Sequence, residues 1–511
     1  MTPDRRYARY VLGILVLVYV FNFLDRQILA ILAERIRADL GISDAQLGFL
    51  YGTAFAVFYA VFGIPLGRLA DTWDRRRLIA VGLAAWSGMT MLSGFARTFG
   101  QLAAARIGVG VGEASAAPAA YSLLSDWFPP ERRATALAIY SSGIYIGAGL
   151  GLGIGGLVVD RWDAAWGGGP TPFGLRGWQV AFLVVGLPGL LLAGWVATLR
   201  EPLRGQGEGI VVPPHPHPFR ACGEELLAVL PPFTLLTMAR LGGRALAVNL
   251  AVAVLVTAAA WGLVAWLGTP AQWLALGVGV YAGVSWLQAL ARRDRPTFAL
   301  LTRTPSLVLA GLGFALLAFV GYALGFWLPA FFMRVHGLDA ARAGLVLGGA
   351  AAAGGWLGTT LGGLWADRLR RRWPAGRLHV GVACGLLGAP LAAWMLTTEH
   401  TTLGLVLSFF ATAASSLWIG PGATTVQDLV MPRMRGTASA AYLMVVTFIG
   451  LALGPYVVGR LSVATGDLRT ALLLALVAGL LGAACLAAAA RHLAADEATR
   501  LARARAAGEP H

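Results

Sequence analysis

Two ionisable residues of opposite charge, Arg106 and Glu113, lie inside a long apolar stretch of the 511-residue sequence. Seven positions are close to two helical turns, so both side chains point the same way, about 10 Å apart along a helix. An ionisable group at the centre of a membrane helix costs about 2.5–3.5 kcal/mol on insertion scales. Two such groups on one face, among Gly108, Gly110 and Gly112, predict a helix that lines a transport pathway.

A second pair of charges, Asp25 and Arg26, lies in the first apolar run. Adjacent helical residues project about 100° apart, so one can face a central cavity while the other packs against a neighbouring helix. Desolvation favours the neutral form of a carboxyl, whereas a nearby arginine favours the ionised form. If the contact of Arg26 changes between conformations, Asp25 or Glu113 can carry a proton across the membrane. The alternative is a static ion pair that only fixes helix packing.

The composition places these charges in a polytopic helical membrane protein. Hydrophobic residues make up 57% of the chain and charged residues only 13%, against roughly 25% charged residues in soluble proteins. Apolar runs of 18 or more residues recur, and each can cross about 30 Å of hydrocarbon. All forty basic residues are arginine, and most of them lie in short loops between these runs or in the polar tail. This positive-inside pattern, not nucleic-acid binding, predicts an inner-membrane protein with both termini cytoplasmic.

The order of the apolar runs is six, two and six, which predicts an all-α fold of about fourteen transmembrane helices. We expect a six-helix bundle over residues 1–200 and another over 305–490. Between them lie a cytoplasmic linker with a surface helix, 201–244, and an inserted two-helix hairpin, 245–304. The hairpin is nearly free of charge, so it is expected to pack on the bundle and face lipid. Residues 491–511 form a cytoplasmic tail.

Internal repeats relate the two bundles. The turn that contains Gly67 and Asp71 recurs around Asp367, and Asp126 recurs as Asp428. A duplicated six-helix unit is how one large transporter architecture places its substrate site at the midplane between the halves. The second-repeat positions that correspond to Asp25, Arg26, Arg106 and Glu113 hold uncharged residues, namely Gly321, Tyr322, Ser408 and Ser415. The shared architecture therefore does not require these charges, which favours a role in coupling.

The repeated turns predict a cytoplasmic latch that holds one conformation closed. The aspartate of each turn can cap a neighbouring helix or pair with an arginine. Positive-inside charge alone explains the arginines but not an aspartate that recurs in both halves. The predicted latch residues are Gly67, Asp71, Arg75, Arg76, Asp126, Arg133, Asp367, Asp428 and Arg435.

The Gly67-x-x-x-Asp71 turn followed by arginines resembles the signature loop of the major facilitator superfamily, although Thr72 and Trp73 depart from it. Phe-Leu-Asp-Arg at 23–26 and the stretch from Arg106 to Glu113 are similar to the spinster-type branch. Members of that branch are associated with proton-linked export of lysophospholipids and sphingosine phosphate. The resemblance implies that Asp25, Arg26 and Glu113 act in protonation and substrate coupling. The inserted helices lie outside the usual twelve-helix pattern.

These observations predict a proton-coupled, alternating-access transporter that moves an organic or amphiphilic, lipid-like solute. It is expected to act as a monomer in the bilayer without a cofactor, a metal or nucleic acid. Aromatic residues that could line its cavity, although membrane-interface or packing roles are commoner, are Tyr140, Tyr322, Trp327, Trp356 and Trp418.

Three other functions stay open on the sequence. A symporter of small organic anions would use Arg26 or Arg106 to bind a carboxylate. A non-transporting sensor on a transporter scaffold would not need its central carboxylates. A membrane-embedded enzyme such as an acyltransferase would need a His/Asp or Ser/His constellation, and the sequence shows no motif that places His336 or His400 in one.

Overall fold

The computed structural model describes residues 5–167, 169–206 and 216–509. These residues form helices joined by short turns, with no strand among them. Apolar segments in lipid must satisfy their backbone hydrogen bonds internally, and a helix does this within one segment. In this part of the chain, twelve helical segments are long and apolar enough to cross a membrane. The predicted all-α polytopic fold is confirmed.

The described residues up to Ala197 form nine α-helices. In chain order these are α1 (Arg5–Leu40), α2 (Asp44–Tyr51), α3 (Thr53–Thr72), α4 (Arg75–Ser93), α5 (Phe99–Glu113), α6 (Ala116–Trp127), α7 (Pro130–Ser141), α8 (Gly143–Trp166) and α9 (Gly177–Ala197).

The described residues after Ala197 form thirteen more α-helices. These are α10 (Pro218–Val229), α11 (Thr234–Arg240), α12 (Gly243–Leu267), α13 (Pro270–Arg293), α14 (Arg295–Arg303), α15 (Pro305–His336), α16 (Ala340–Arg370), α17 (Gly376–Thr397), α18 (Thr401–Ser415), α19 (Ile419–Asp428), α20 (Arg435–Val445), α21 (Gly454–Thr465) and α22 (Leu468–Ala506). A π-helical segment, Val446–Leu453, joins α20 to α21.

The fourth predicted span is interrupted beside its carboxylate. Helix α5 ends at Glu113 and α6 begins at Ala116, and these helices have 15 and 12 residues. Each is therefore too short to count alone among the twelve spanning segments. The predicted surface helix over 223–240 is also broken, because α10 and α11 meet at 93°. Residues 207–215 of the predicted linker lie outside the described residues.

Contacts divide the chain into two compact units. The first contains the described residues of Met1–Ile42, Phe58–Leu226 and Phe332–Ala352. Its core is the packing of α1 on α8 and of α4 on α5 and α9. Glycine permits the first of these contacts, because a Cβ at Gly147 would lie 2.3 Å from the Val20 backbone oxygen.

The second unit contains the described residues of Ser43–Val57, Leu227–Phe331 and Ala353–His511. Helix α17 packs on α18 and α22, and α2 packs along α21. An apolar core that includes Phe314, Leu378 and Leu486 fills the space between the longer helices. The second unit thus includes a short segment of the first predicted bundle, Ser43–Val57, and the first unit includes a short segment of the second bundle, Phe332–Ala352. The bundle boundaries drawn from the sequence stay a prediction.

Candidate functional site

The centre of the first unit holds a buried ion pair between α1 and α5. The Arg26 Nη2 atom donates to Glu113 Oε2 at 2.6 Å, and it also lies 3.4 Å from the Asn22 side-chain oxygen. The Glu113 side chain is 0% exposed and that of Arg26 is 8% exposed. A charge-assisted hydrogen bond in such surroundings is strong, and losing either partner leaves the other charge buried and unpaired.

Arg106 lies on the same face of α5 as Glu113, and both residues contact α1. The Arg106 Nη1 atom donates to the backbone oxygen of Asp25 at 3.3 Å, and its side chain is fully buried. The seven-residue spacing explains this arrangement, because two helical turns return a side chain to the same face. The structure thus brings the four charged residues of the sequence prediction into one part of the first unit.

Asp25 has a different environment from Glu113. It is fully buried, and its charged neighbours are Glu113 and Arg106. The Thr90 hydroxyl and the Trp86 indole of α4 lie beside its carboxyl group. Within the described part of the chain, none of these polar atoms is aligned in a hydrogen bond. The Asp25 carboxyl is therefore held among potential donors and is not locked to an arginine.

Aromatic rings surround the Arg26 guanidinium. Its Cζ atom lies 4.7 Å from the centroid of the Phe23 ring and 5.2 Å from that of Tyr59. Tyr19 packs edge-on against Phe23, with ring centroids 5.3 Å apart. Positions 19, 23 and 26 follow helical spacing, so this face of α1 carries two rings and the guanidinium. A cation over such rings is stabilised by about 0.5–2 kcal/mol.

Tyr140, a predicted cavity residue, extends this aromatic cluster. Its ring stacks on Tyr19 with centroids 4.3 Å apart, and Tyr121 packs edge-on against it at 5.5 Å. Tyr140 is fully buried, whereas Tyr121 is 39% exposed. The rings therefore form a continuous aromatic path from an exposed side chain to Arg26.

The other predicted cavity residues lie in the second unit and do not form one cluster. Trp327 is fully buried and donates to the Pro455 backbone oxygen at 2.8 Å, while Trp418 stacks on Phe314. Tyr322 packs against the apolar core, and Trp356 is 55% exposed. Their part in a cavity stays a prediction.

The predicted latch of the first repeat centres on Arg75. Its side chain is 1% exposed, pairs with Asp126 and donates to Glu201 Oε1 at 2.7 Å. The backbone nitrogen of Arg76 donates to the other Glu201 oxygen at 3.2 Å. The start of the linker therefore closes over the turn, and Gly205 donates its backbone N–H to Asp126 at 2.9 Å.

The second repeat forms the corresponding ion pair. Arg377 pairs with Asp428, and both this pair and Arg75–Asp126 are separated by 51 positions. A different arginine of this turn, Arg370, donates to Glu497 Oε2 at 2.7 Å. The repeat recognised in the sequence thus reappears as matching contacts, although Arg377 was not among the predicted latch residues.

The remaining latch residues are less engaged. Asp71 is exposed near Arg204, and Asp74, not Asp71, caps α4 by accepting from the Arg77 backbone at 3.0 Å. The Asp367 side chain is 70% exposed and lies 3.5 Å from Arg377. Arg133 donates to the Ser125 backbone oxygen, and Arg435 is exposed. A Cβ at Gly67 would meet no atom within 4 Å.

Sequence reasoning missed several residues of the site. Thr90 and Trp86 are four positions apart and so share a face of α4, but nothing in the sequence relates that face to Asp25. Tyr19 and Phe23 could have been found from their helical spacing to Arg26. Among the described residues, no group of three or more His, Cys, Asp or Glu side chains is arranged to hold a metal ion.

The fold, together with the family model that the chain matches, identifies a membrane transporter and not an enzyme. The chain belongs to the Major Facilitator Superfamily, whose family model matches residues 15–455. Its relatives include proteins of the spinster type.

Three comparisons describe this relationship. An MFS-type efflux pump of Mycolicibacterium smegmatis is 29% identical over 490 residues, covering 94% of this chain and 92% of the pump. Protein spinster of Drosophila melanogaster is 24% identical over 462 residues, and the match spans 89% of this chain and 62% of the fly protein. A crystal structure of a bacterial homologue of the human lysosomal transporter spinster, inward-facing and unoccupied, has 27% identity and a TM-score of 0.67. It covers 98% of both chains.

Proposed function

We propose that this protein is a proton-coupled secondary transporter that moves an organic, amphiphilic solute across the inner membrane by alternating access. The observation that carries the proposal is the buried Arg26–Glu113 pair beside an aromatic cluster. The positive-inside pattern supports cytoplasmic termini. The similarity to the structure of a bacterial spinster homologue supports a transporter of this type.

Protonation of Glu113 would control whether Arg26 can bind the solute. In the present arrangement the ionised Glu113 carboxylate accepts a hydrogen bond of 2.6 Å from the Arg26 guanidinium. A proton on Glu113 removes the negative charge and leaves Arg26 able to bind an anionic group of the solute. Solute release and proton loss then restore the pair. Asp25, which has no aligned arginine, is a second carboxyl that can hold a proton in this region.

The solute is inferred from the chemistry around Arg26. A guanidinium binds phosphate or carboxylate groups, whereas Phe23, Tyr59, Tyr19 and Tyr140 offer apolar faces. This combination fits a molecule with an anionic or zwitterionic head and an apolar chain, such as a lysophospholipid. The resemblance of the 23–26 and 106–113 stretches to the spinster-type branch supports the same class of solute.

A small organic anion is the second candidate solute, and two buried arginines favour it. Arg26 and Arg106 lie within the same buried region, and two guanidinium groups suit a compact carboxylate. An anion of this kind would need the charges but not the rings. A non-transporting sensor would need neither the buried charges nor the aromatic rings.

The test uses purified protein in liposomes that contain a pH-sensitive dye. Radiolabelled lysophosphatidylcholine and a radiolabelled small sugar-derived dicarboxylate are added separately, and both solute exchange and solute-driven movement of protons are recorded. The proposal predicts proton movement with the lysophospholipid. A response only to the dicarboxylate would favour the second candidate. Solute exchange without proton movement would contradict coupling, and no exchange of either solute would support the sensor.

A further inference from the structure

Helices α2 and α21 meet in the second unit without space for side chains between them. A Cβ at Gly48 would lie 2.4 Å from the Pro455 backbone oxygen, and one at Gly52 would lie 2.6 Å from that of Leu451. We call this contact the seam. Its far end is closed by a hydrogen bond of 2.8 Å from the Ser462 hydroxyl to the Asp44 carboxylate.

The seam joins the two sequence repeats. Asp44 to Thr53 belong to the first repeat, whereas α21 belongs to the second. It lies after the first arginine-poor turn, opposite the arginine-rich turns in the predicted topology. In an alternating-access cycle the repeats separate on this side during part of each turnover, so the seam must open and close.

The inserted hairpin, α12 and α13, binds the second-repeat side of the seam. The Tyr456 hydroxyl lies 3.1 Å from the Thr269 hydroxyl, and Arg460 Nε donates to the Leu267 backbone oxygen at 3.1 Å. Trp273 packs edge-on against Tyr456, with ring centroids 5.4 Å apart. These contacts come from the turn between the hairpin helices and the start of α13.

The same end of the hairpin binds the first-repeat side of the seam. The Thr53 hydroxyl lies 2.7 Å from the Gln272 side-chain oxygen and 2.9 Å from the Ala452 backbone oxygen. Thr53 and Gln272 are both 0% exposed. A hairpin that only followed α21 would have no reason to place the side-chain oxygen of Gln272 within hydrogen-bond distance of Thr53, where burying a carbonyl oxygen without a partner is costly.

Polar side chains hold the two hairpin helices together. The Tyr281 hydroxyl donates to the Asn249 side-chain oxygen at 2.6 Å, and the Asn249 nitrogen donates to Ser285 at 2.9 Å. Asn249 and Ser285 are fully buried. Hydrogen bonds between membrane helices fix their register. The hydrogen bonds between α12 and α13 therefore hold Gln272 and Thr269 in fixed positions.

We propose that the hairpin is a brace that holds the seam closed and so sets how often the transporter opens on this side. The proposal rests on alternating access but not on proton coupling or on the solute. Opening the seam separates Thr53 from α21, so the Gln272 contact must break or the hairpin must move. Losing one net hydrogen bond of about 0.5–1.5 kcal/mol shifts such an equilibrium by about two- to tenfold.

The test measures the labelling rate of a cysteine buried in the seam. Cys222, Cys384 and Cys485 are replaced by serine, and Ala45, which is 4% exposed and whose backbone nitrogen lies beside Gly459, is replaced by cysteine. Full-length protein in liposomes is treated with a water-soluble maleimide, without solute or a proton gradient. Gln272→Leu and Thr269→Val are compared, each in this background, with Val254→Ala on the 68%-exposed residue of α12.

The brace predicts that either hairpin variant raises the labelling rate about two- to tenfold and that Val254→Ala leaves it unchanged. Two variants are used so that a folding failure of one does not end the test. Labelling rates equal to that of the parent in the folded variants would overturn the brace. Because no gradient is applied, this result is independent of whether Glu113 couples protons.

Discussion

Arg26 and Glu113 are 87 positions apart in the sequence and form a buried ion pair of 2.6 Å between α1 and α5. Neither residue has a charged counterpart at the aligned position of the second repeat. An ion pair that served only to hold helices together could be replaced by apolar residues of similar size, often without loss of stability. The retained charges are therefore best explained by a function that uses them.

The first prediction concerns the setting of Asp25. Thr90→Val removes a hydroxyl beside the Asp25 carboxyl without changing the size of the side chain. The Thr90 hydroxyl is not aligned with the Asp25 carboxyl in this structure. We predict that it turns to the ionised carboxylate during transport, so its loss favours the protonated form and the midpoint of the pH dependence of transport should rise. Glu113 and Arg106 also face Asp25 and are left unchanged. Transport in liposomes is measured from about pH 5 to 9.

Ser87→Ala provides the matched control for Thr90→Val. Ser87 is also fully buried on α4, but its side chain faces Gly189 of α9 instead of Asp25. Its pH profile should match that of the parent protein. Equal midpoints for all three proteins would show that Thr90 does not tune Asp25.

The second prediction compares the two equivalent ion pairs of the repeats. The side chains of Arg75 and Asp126 are 1% and 11% exposed, whereas those of Arg377 and Asp428 are 19% and 34% exposed. Breaking a buried pair costs about 3–5 kcal/mol, and an exposed pair contributes about 0–1 kcal/mol. Arg75→Gln should therefore lower the thermal midpoint in detergent more than Arg377→Gln. Similar losses in the two variants would contradict this ranking.

The third prediction concerns the C-terminal tail at low pH. Arg433 pairs with Glu509 and with Asp294, at 2.8 Å for the latter. The hydrogen bonds from Arg433 hold the pKa of Glu509 below its ordinary value. A carboxyl with a lowered pKa contributes stability above its ordinary pKa, and this is lost as pH falls through the lowered value. Tail docking should weaken on acidification below about pH 4.5.

Hydrogen exchange of residues 497–509, corrected for intrinsic pH effects, measures this docking. Glu509→Gln should increase exchange already at pH 7, as acid does in the parent. Glu224→Gln, in an exposed pair with Arg220, is the control and should leave tail exchange unchanged. If the tail of Glu509→Gln exchanges like that of the parent, the ion pair does not hold it.

The sequence predicted those features that depend on period and repetition. Seven-residue spacing placed Arg106 and Glu113 on one face of α5, and both contact α1. The repeat of Asp126 as Asp428 reappeared as two ion pairs with equal separation. The first feature follows from helical geometry and the second from duplication within the sequence, so a single sequence suffices for both.

Contacts between distant helices were not predictable in this way. The break between α5 and α6 lies next to Glu113 in an apolar stretch that reads as one continuous helix. Gln272 gave no sign that it would bind Thr53, 219 positions away. Helical periodicity identifies the buried face of a helix but not which helix covers it.

The measurement that tests the central claim most directly is gradient-driven transport by Glu113→Gln in liposomes. The variant should fold and should still exchange solute by counterflow, because exchange needs no net proton movement. Accumulation driven by a pH gradient should fall to background, because the amide cannot take up the proton. Asp163→Asn, in the partly exposed ion pair of 2.9 Å with Arg35 of the same repeat, is the matched control and should accumulate solute like the parent. Gradient-driven accumulation by Glu113→Gln at the parental level would contradict the account.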